Sequence, residues 1–228
     1  MKIFGLQKLT LIDYPGLTAA TIFLSGCDYN CPFCHNAAFM DENYTDLINA
    51  DEVMAFLKTR IKKLDGVCIS GGEPLLQTGT EEFIKEIKDL GYKIKIDTNG
   101  QNVEALKELV ESGLVNYIAM DVKSSLHNYG KAVGIDDFDT KQIEESADYL
   151  RTGIVPYEFR TTVVRELHTA DDFHSIGAWL QNADKYFLQK FKYSEGVPDE
   201  NLSAYDETEM EEFCKILKTY NIDTNIRE

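Results

Sequence analysis

No run of apolar residues in this chain reaches the length of a membrane span, so no spanning segment is expected. The start, Met1-Lys2-Ile3-Phe4-Gly5, lacks the basic, apolar and small-residue succession of a secretory signal. Basic charge is scarce: 23 Lys and Arg face 39 Asp and Glu, a formal net charge of −16. Phosphate contacts need a basic patch, so nucleic acid is not expected as a partner. No low-complexity linker and no repeat interrupts the 228 residues, which suits a single domain over 1–228. Together these absences predict a cytoplasmic protein, in a compartment that keeps thiols reduced.

Cysteine is sparse too, and unevenly placed. Three of the five cysteines lie in Ser25-Gly26-Cys27-Asp28-Tyr29-Asn30-Cys31-Pro32-Phe33-Cys34-His35-Asn36. The spacing is C-x3-C-x2-C, in a loop able to wrap thiolates around one inorganic centre. Thiolates select Zn, Cu(I) or iron–sulfur clusters. A 4Fe-4S cluster takes four cysteines, so three would leave one iron open to a substrate. Structural zinc wants a closed set of four, and His35 is adjacent to Cys34, too close in sequence to share the ion. A disulfide would leave one thiol over. A plain electron-transfer cluster needs Cys68 or Cys214 as a fourth ligand. Cys68 falls in an apolar strand, Val67-Cys68-Ile69-Ser70, and Cys214 on the apolar side of a helix. Both read as core filler.

Residues 2–14 read as a hairpin with Gly5 near its turn, so that 1–16 form an extension and 17–228 the main body. Strands are expected at 18–24, 66–70, 92–97, 117–122, 156–164, 185–192 and 222–226. Helices are expected at 50–64, 79–90, 102–112, 139–152, 170–182 and 206–220, with loops at 124–138 and 193–205. The alternation is that of βαβ units and a parallel sheet, doubly wound or barrel. Ligands of such folds bind beyond the C-terminal strand ends. The polar motifs fall at those ends: the cysteine loop, Gly71-Gly72-Glu73-Pro74, Asp97-Thr98-Asn99-Gly100 and Asp121-Val122-Lys123.

Gly71 and Gly72 offer bare backbone for close approach, although an ordinary strand-to-helix turn needs the same residues. Asp97, Thr98, Asp121 and Lys123 are costly to bury unless they serve a bound ion or zwitterion. Asp121 and Lys123 are two apart and share a strand face, as a simple ion pair would. Arg160 suits a ligand carboxylate, a substrate backbone or a pair with Glu158. Phe33 reads as apolar cover, and His127, His168 and His174 as loop or helix-surface residues without a role.

The cysteine loop matches the signature of the radical S-adenosylmethionine (SAM) enzymes, and the chain resembles that superfamily over nearly its whole length. With Gly5-Leu6-Gln7-Lys8-Leu9-Thr10-Leu11-Ile12-Asp13-Tyr14-Pro15-Gly16 joined directly to the loop, it is similar to the glycyl-radical-enzyme activating enzymes. Within these it most resembles the activating proteins of anaerobic ribonucleoside-triphosphate reductase, and also those of pyruvate formate-lyase. The resemblance implies an α/β fold, a partial (β/α)6 TIM-like barrel with a laterally open mouth and an N-terminal β-hairpin. It implies an oxidoreductase in which Cys27, Cys31 and Cys34 hold a 4Fe-4S cluster and the free iron chelates SAM. Reductive cleavage would then give a 5′-deoxyadenosyl radical that takes hydrogen from a partner's glycine.

By the same resemblance, carbonyls of Gly71 and Gly72 receive the SAM ammonium, with Glu73 bracing or assisting. Lys123 pairs with the methionyl carboxylate, Arg160 adds a contact, and Phe33 lies near the adenine. Asp97, Thr98, Asp121 and the Ala119 carbonyl would surround a monovalent cation. His35 would shield the cluster or touch the substrate peptide. The Leu-Pro-Tyr-His stretch of formate-lyase activators is replaced by Leu188-Gln189-Lys190-Phe191, which makes Gln189 the substitute for ribose and adenine contacts. No further C-x-x-C pair is present, implying one cluster. Partners would be a glycyl radical enzyme, the anaerobic ribonucleotide reductase, docked on 124–138 and 193–205, and a low-potential donor such as flavodoxin or ferredoxin. Alternatives remain: a formate-lyase-type partner, a small-molecule radical reaction, or an electron carrier with Cys68 as fourth ligand.

Overall fold

The computed structural model describes residues 1–40 and 46–227. Strand β1 (Ile3–Thr10) runs antiparallel to β2 (Ala19–Leu24). Then β3 (Gly66–Gly71), β4 (Lys93–Thr98), β5 (Tyr117–Asp121), β6 (Tyr157–Val163), β7 (Tyr186–Lys190) and β8 (Thr224–Arg227) add in parallel, in chain order. Helices α1 (Ala50–Lys58), α2 (Thr80–Asp89), α3 (Val103–Glu111), α4 (Tyr129–Val133), α5 (Lys141–Arg151), α6 (Ala170–Trp179) and α7 (Glu207–Lys218) fill the crossovers. Among the described residues no pairing joins β8 to β1, so the parallel barrel is partial, as expected.

Period-two alternation along the strands separates two environments. Ile22, Leu24, Ile69, Ile94, Ile96, Ile118, Met120, Phe159 and Leu188 join the main apolar core. Helices close that core with Phe83, Ile84 and Ile87 of α2 and with Met210, Phe213 and Leu217 of α7, all buried. Each such side chain contributes roughly 1.5–3 kcal/mol. The intervening strand positions carry Thr21, Cys68, Lys95, Asp97, Glu158 and Arg160, so the barrel lumen is polar. Reciprocal capping boxes, Thr169 with Asp172 and Asp206 with Glu209, start α6 and α7.

Three expectations are corrected. Gly5 lies within β1 opposite Phe23, and the hairpin turn falls in 11–18. The first barrel strand would otherwise present an open edge, which β1 covers. Helix α1 ends at Lys58, not 64, because the chain turns through Lys62 (φ +64°) to enter β3. Finally, 124–138 is not a polar loop. It carries α4, whose Tyr129, Ala132 and Val133 are buried.

Candidate active site at the open barrel mouth

The cysteine loop leaves the C-terminal end of β2 and is held from several sides. Gly26 N–H donates to the Phe39 carbonyl (3.0 Å), Asn30 N–H to Val133 (2.9 Å) and Asp199 N–H to Pro32 (3.0 Å). Tyr29 packs edge-on against Phe138, with centroids 5.5 Å apart. Gly134 (φ +70°) lets the end of α4 press on the loop, since a Cβ there would lie 3.0 Å from the Asn30 carbonyl carbon. Parts of 124–138 and 193–205, the segments expected to dock a partner, thus also brace the cysteine loop. Tyr129, Val133, Val197 and Leu202 are buried within these segments, whereas Tyr193 is 53% exposed.

At the mouth lies a cavity of about 840 Å³, counting its opening. Cys27, Cys31, Cys34, Phe33 and His35 line one side, and Gly71, Gly72, Asp97, Thr98, Asp121, Lys123 and Arg160 line the rest. Twelve predicted positions meet there, from five separate strand ends. Glu73, Ala119 and Gln189 are not among the lining residues. Tyr29, Asn36, Ser70, Asn99 and Thr162 also line it and were not singled out. Tyr29, Asn36, Ser70 and Asn99 sit inside quoted stretches, and that position is the only signal the sequence offers for them.

Burial pushes the Cys27 thiol up to about 12 and Cys31 to about 11, and raises Cys34 as well. Lys123 works against that rise at all three. A coordinated metal deprotonates such thiols outright. Asn99 Nδ2 donates to Asp28 (2.7 Å) and lies 3.8 Å from Cys27 Sγ. Cys68 is fully buried, in register with Lys95, and does not line the cavity. Among the described residues, no group of three or more His, Cys, Asp or Glu is placed to hold a single metal ion.

The glycine motif serves the loop's placement. A Cβ on Gly71 (φ +112°) would lie 2.5 Å from Leu24 N, and one on Gly72 2.6 Å from the Gly26 carbonyl carbon. Asn36 Nδ2 donates to the Gly71 carbonyl (2.8 Å), which keeps a second lone pair. Glu73 is a brace rather than a ligand contact. It is 1% exposed and accepts from Leu75 N–H (3.0 Å), Thr98 Oγ1 (2.8 Å) and Asn99 N–H (2.6 Å). Burial outweighs those bonds and lifts its carboxyl to about 7.

A chain of alternating charge runs down into the lumen. Lys123 Nζ meets Asp121 (3.0 Å), Arg160 Nε meets the other Asp121 oxygen (2.7 Å), and Arg160 Nη1 meets Asp97 (3.3 Å). Lys95 pairs with Asp97 from below, and Ser70 donates to it (2.9 Å). Burial would raise Asp121, but Arg160 and Lys123 outweigh it and hold the carboxyl below its usual range. The side chains expected around a monovalent cation carry other contacts here. The Arg160 guanidinium already bridges Asp97 and Asp121, Thr98 Oγ1 donates to Glu73, and Ala119 is fully buried. Register decides this, because Asp121 lies beside Arg160 across β5 and β6. Glu158, the other partner weighed for Arg160, instead holds Arg227 through two bonds (2.6 and 2.8 Å) and Tyr117 OH (3.0 Å).

Gln189 stands beside Thr162 in β7, and only Thr162 reaches the cavity. His35 Nε2 lies 2.6 Å from the Lys192 carbonyl, its ring 5.6 Å from Phe191. His168, expected at the surface, is fully buried. Val164 N–H donates to its Nδ1 (3.0 Å), and its Nε2 faces the Lys123 carbonyl (2.9 Å). Burial depresses its basicity, and the neutral ring fixes the backbone that presents Lys123.

An open parallel barrel whose strand ends gather three thiols and a charged cradle is the frame of a cofactor-dependent α/β enzyme. Residues 21–180 match the radical SAM superfamily, and the chain belongs to it. Over 225 residues it is 33% identical to the "Putative glycyl-radical enzyme activating enzyme" of Methanocaldococcus jannaschii, covering 96% of this chain and 92% of that one. Among solved structures, a domain of pyruvate-formate lyase-activating enzyme from Bacteroides vulgatus aligns with TM-score 0.58 and 17% identity, over 72% of this chain and 99% of that one. SuiB of Streptococcus suis bound to S-adenosylmethionine aligns with TM-score 0.71 and 13% identity, over 91% of this chain. The chain spans about half of SuiB, 52%. No helix among the described residues is long and apolar enough to cross a membrane.

Proposed function

We propose that this chain is a radical SAM activating enzyme for a glycyl radical enzyme, with the anaerobic ribonucleotide reductase as the favoured partner. The observation that carries the reading is the meeting of Cys27, Cys31 and Cys34 with the Asp121–Lys123–Arg160 cradle on one cavity. Three thiols, with no fourth cysteine lining the cavity among the described residues, suit a 4Fe-4S cluster with one open iron, and the adjoining cradle suits a zwitterion. When bound, the cluster and SAM supply reductive cleavage of the sulfonium and a carbon radical able to take hydrogen from a glycine.

The chain's own residues bind, orient and shield. Cys27, Cys31 and Cys34 would hold the cluster, with Phe33 as apolar cover. Gly71 and Gly72 bring backbone carbonyls within reach of an ammonium. Lys123, with Arg160 beside it, offers donors to a carboxylate. His35, at the rim, suits contact with an entering peptide. The overall likeness to an activating enzyme of nearly equal length supports the glycine-peptide partner over a small molecule. A cytoplasmic setting and a flavodoxin or ferredoxin donor go with this reading.

The test is anaerobic reconstitution, reduction with dithionite and chromatography for 5′-deoxyadenosine. Mixing with candidate reductases should then give a glycyl-radical doublet by electron paramagnetic resonance. Absence of 5′-deoxyadenosine from an iron-replete protein would refute the chemistry. Its presence without a doublet from any glycyl radical enzyme would refute the partner class.

A further inference from the structure

Lys95 touches no predicted ligand, yet it is 1% exposed inside the barrel. Its ammonium meets Asp97 and lies 3.7 Å from the buried Cys68 sulfur. A buried charge needs a partner, and here the pairing does not end in a neutral couple. Lys95, Asp97, Arg160, Asp121 and Lys123 form one chain of contacts. It holds three cations and two carboxylates, 3 − 2 = +1. Of the nearby carboxylates Glu158 is charge-paired with Arg227. Asp28 and the partly exposed Asp13 hydrogen-bond the neutral Asn99 and Thr21 and join no link of this chain, so the surplus counted is that of the contact chain itself. Asp97, Arg160, Asp121 and Lys123 all line the cavity, and Lys95 alone of the five does not.

We infer that Lys95 is a positioning residue that sets the surplus positive charge of the cradle, and so its affinity for a carboxylate-bearing ligand. Lys95 compensates Asp97 from below. Arg160 and Lys123 are then left to share Asp121, with one positive charge uncompensated at the cavity wall. Without Lys95, Asp97 would claim Arg160 and the surplus would vanish. The inference rests on the proposed SAM reading and names the charge that selects the methionyl carboxylate.

Charge bookkeeping makes it testable with reconstituted protein, its cluster kept oxidised and its iron content matched between variants. SAM binding is measured by anaerobic titration calorimetry for wild type, K95M, D97N and K95M/D97N. K95M should bind SAM at least tenfold more weakly. D97N should bind no more weakly than wild type. K95M/D97N, which restores +1, should return to within about threefold, a single tenfold step being about 1.4 kcal/mol. Decarboxylated SAM, which lacks the carboxylate, should bind K95M and wild type alike.

A double variant tenfold weaker than wild type, or a K95M loss equal for both ligands, would overturn the inference and leave Lys95 a purely structural ion. If K95M does not fold, the double variant against wild type decides. If wild type with full iron binds no SAM, the function reading itself fails. If wild type binds and K95M binds equally well, only the inference fails.

Discussion

Replacing Gly72 by alanine tests how tightly the glycine turn is built against the cysteine loop. The new Cβ would stand 2.6 Å from the Gly26 carbonyl carbon, closer still to its oxygen, and 3.1 Å from Gly26 N. Carbon atoms pack at about 3.5 Å, so one backbone must retreat by about 1 Å. Neither side can yield through a rotamer, because both are main chain. Retreat breaks the bond from Glu73 N–H to the Gly26 carbonyl (2.8 Å), worth about 1 kcal/mol. Overpacking adds roughly 1–3 kcal/mol, so Gly72→Ala should cost about 2–4 kcal/mol and displace Cys27, the residue that follows Gly26. Gly79→Ala is the control. Its glycine has φ +85° but nothing within 4 Å of a Cβ, so it should cost only the left-handed strain, about 1–2 kcal/mol. Urea unfolding gives the energies and iron analysis after anaerobic reconstitution gives the loop's competence. Gly72→Ala protein that loads iron fully and unfolds within about 0.5 kcal/mol of wild type would refute the reasoning, that margin being ordinary for an uneventful surface change.

Serine at Cys27, Cys31 or Cys34 should abolish cluster loading, read by iron content and visible absorption. Cys68→Ala should load fully, since Cys68 lies outside the cavity, and cost about 1 kcal/mol for the void. Iron lost from Cys68→Ala, in protein that remains folded, would reinstate it as a ligand. Glu73 should leave a pH signature. Folded, it keeps its proton to about pH 7, against an ordinary value of 4.5. The folded state binds the extra proton between those values, so this contribution is fully present below about pH 4.5 and lost as pH rises through 7. The gap corresponds to about 3 kcal/mol. Urea unfolding at pH 5 and pH 8 should show most of that drop, about 2.5 kcal/mol, in wild type and not in Glu73→Gln, and equal drops in both would contradict the assignment.

Local spacing by itself determined much of this protein. Three cysteines within one loop, glycines after a strand and carboxylates at strand ends are one-dimensional patterns, and strand–helix alternation alone implies a parallel sheet. With the family resemblance adding roles for residues such as Phe33 and His35, twelve of the fifteen expected site positions meet at one cavity. What spacing could not supply was the pairing of side chains across strands. Arg160 lies far along the chain from Asp97 and Asp121, and only the register of β5 and β6 turns its guanidinium into their bridge. The resemblance left Glu73 either bracing or assisting, and only the fold brought Thr98 and Asn99 onto its carboxylate. Lys95 is of a type usually found at the surface, and only the barrel lumen buries it, while His168 is buried against Phe173 and the Lys123 carbonyl. Composition and periodicity act through neighbours in sequence and so choose the elements. Charge partners act through space, and the sheet's curvature decides who they are.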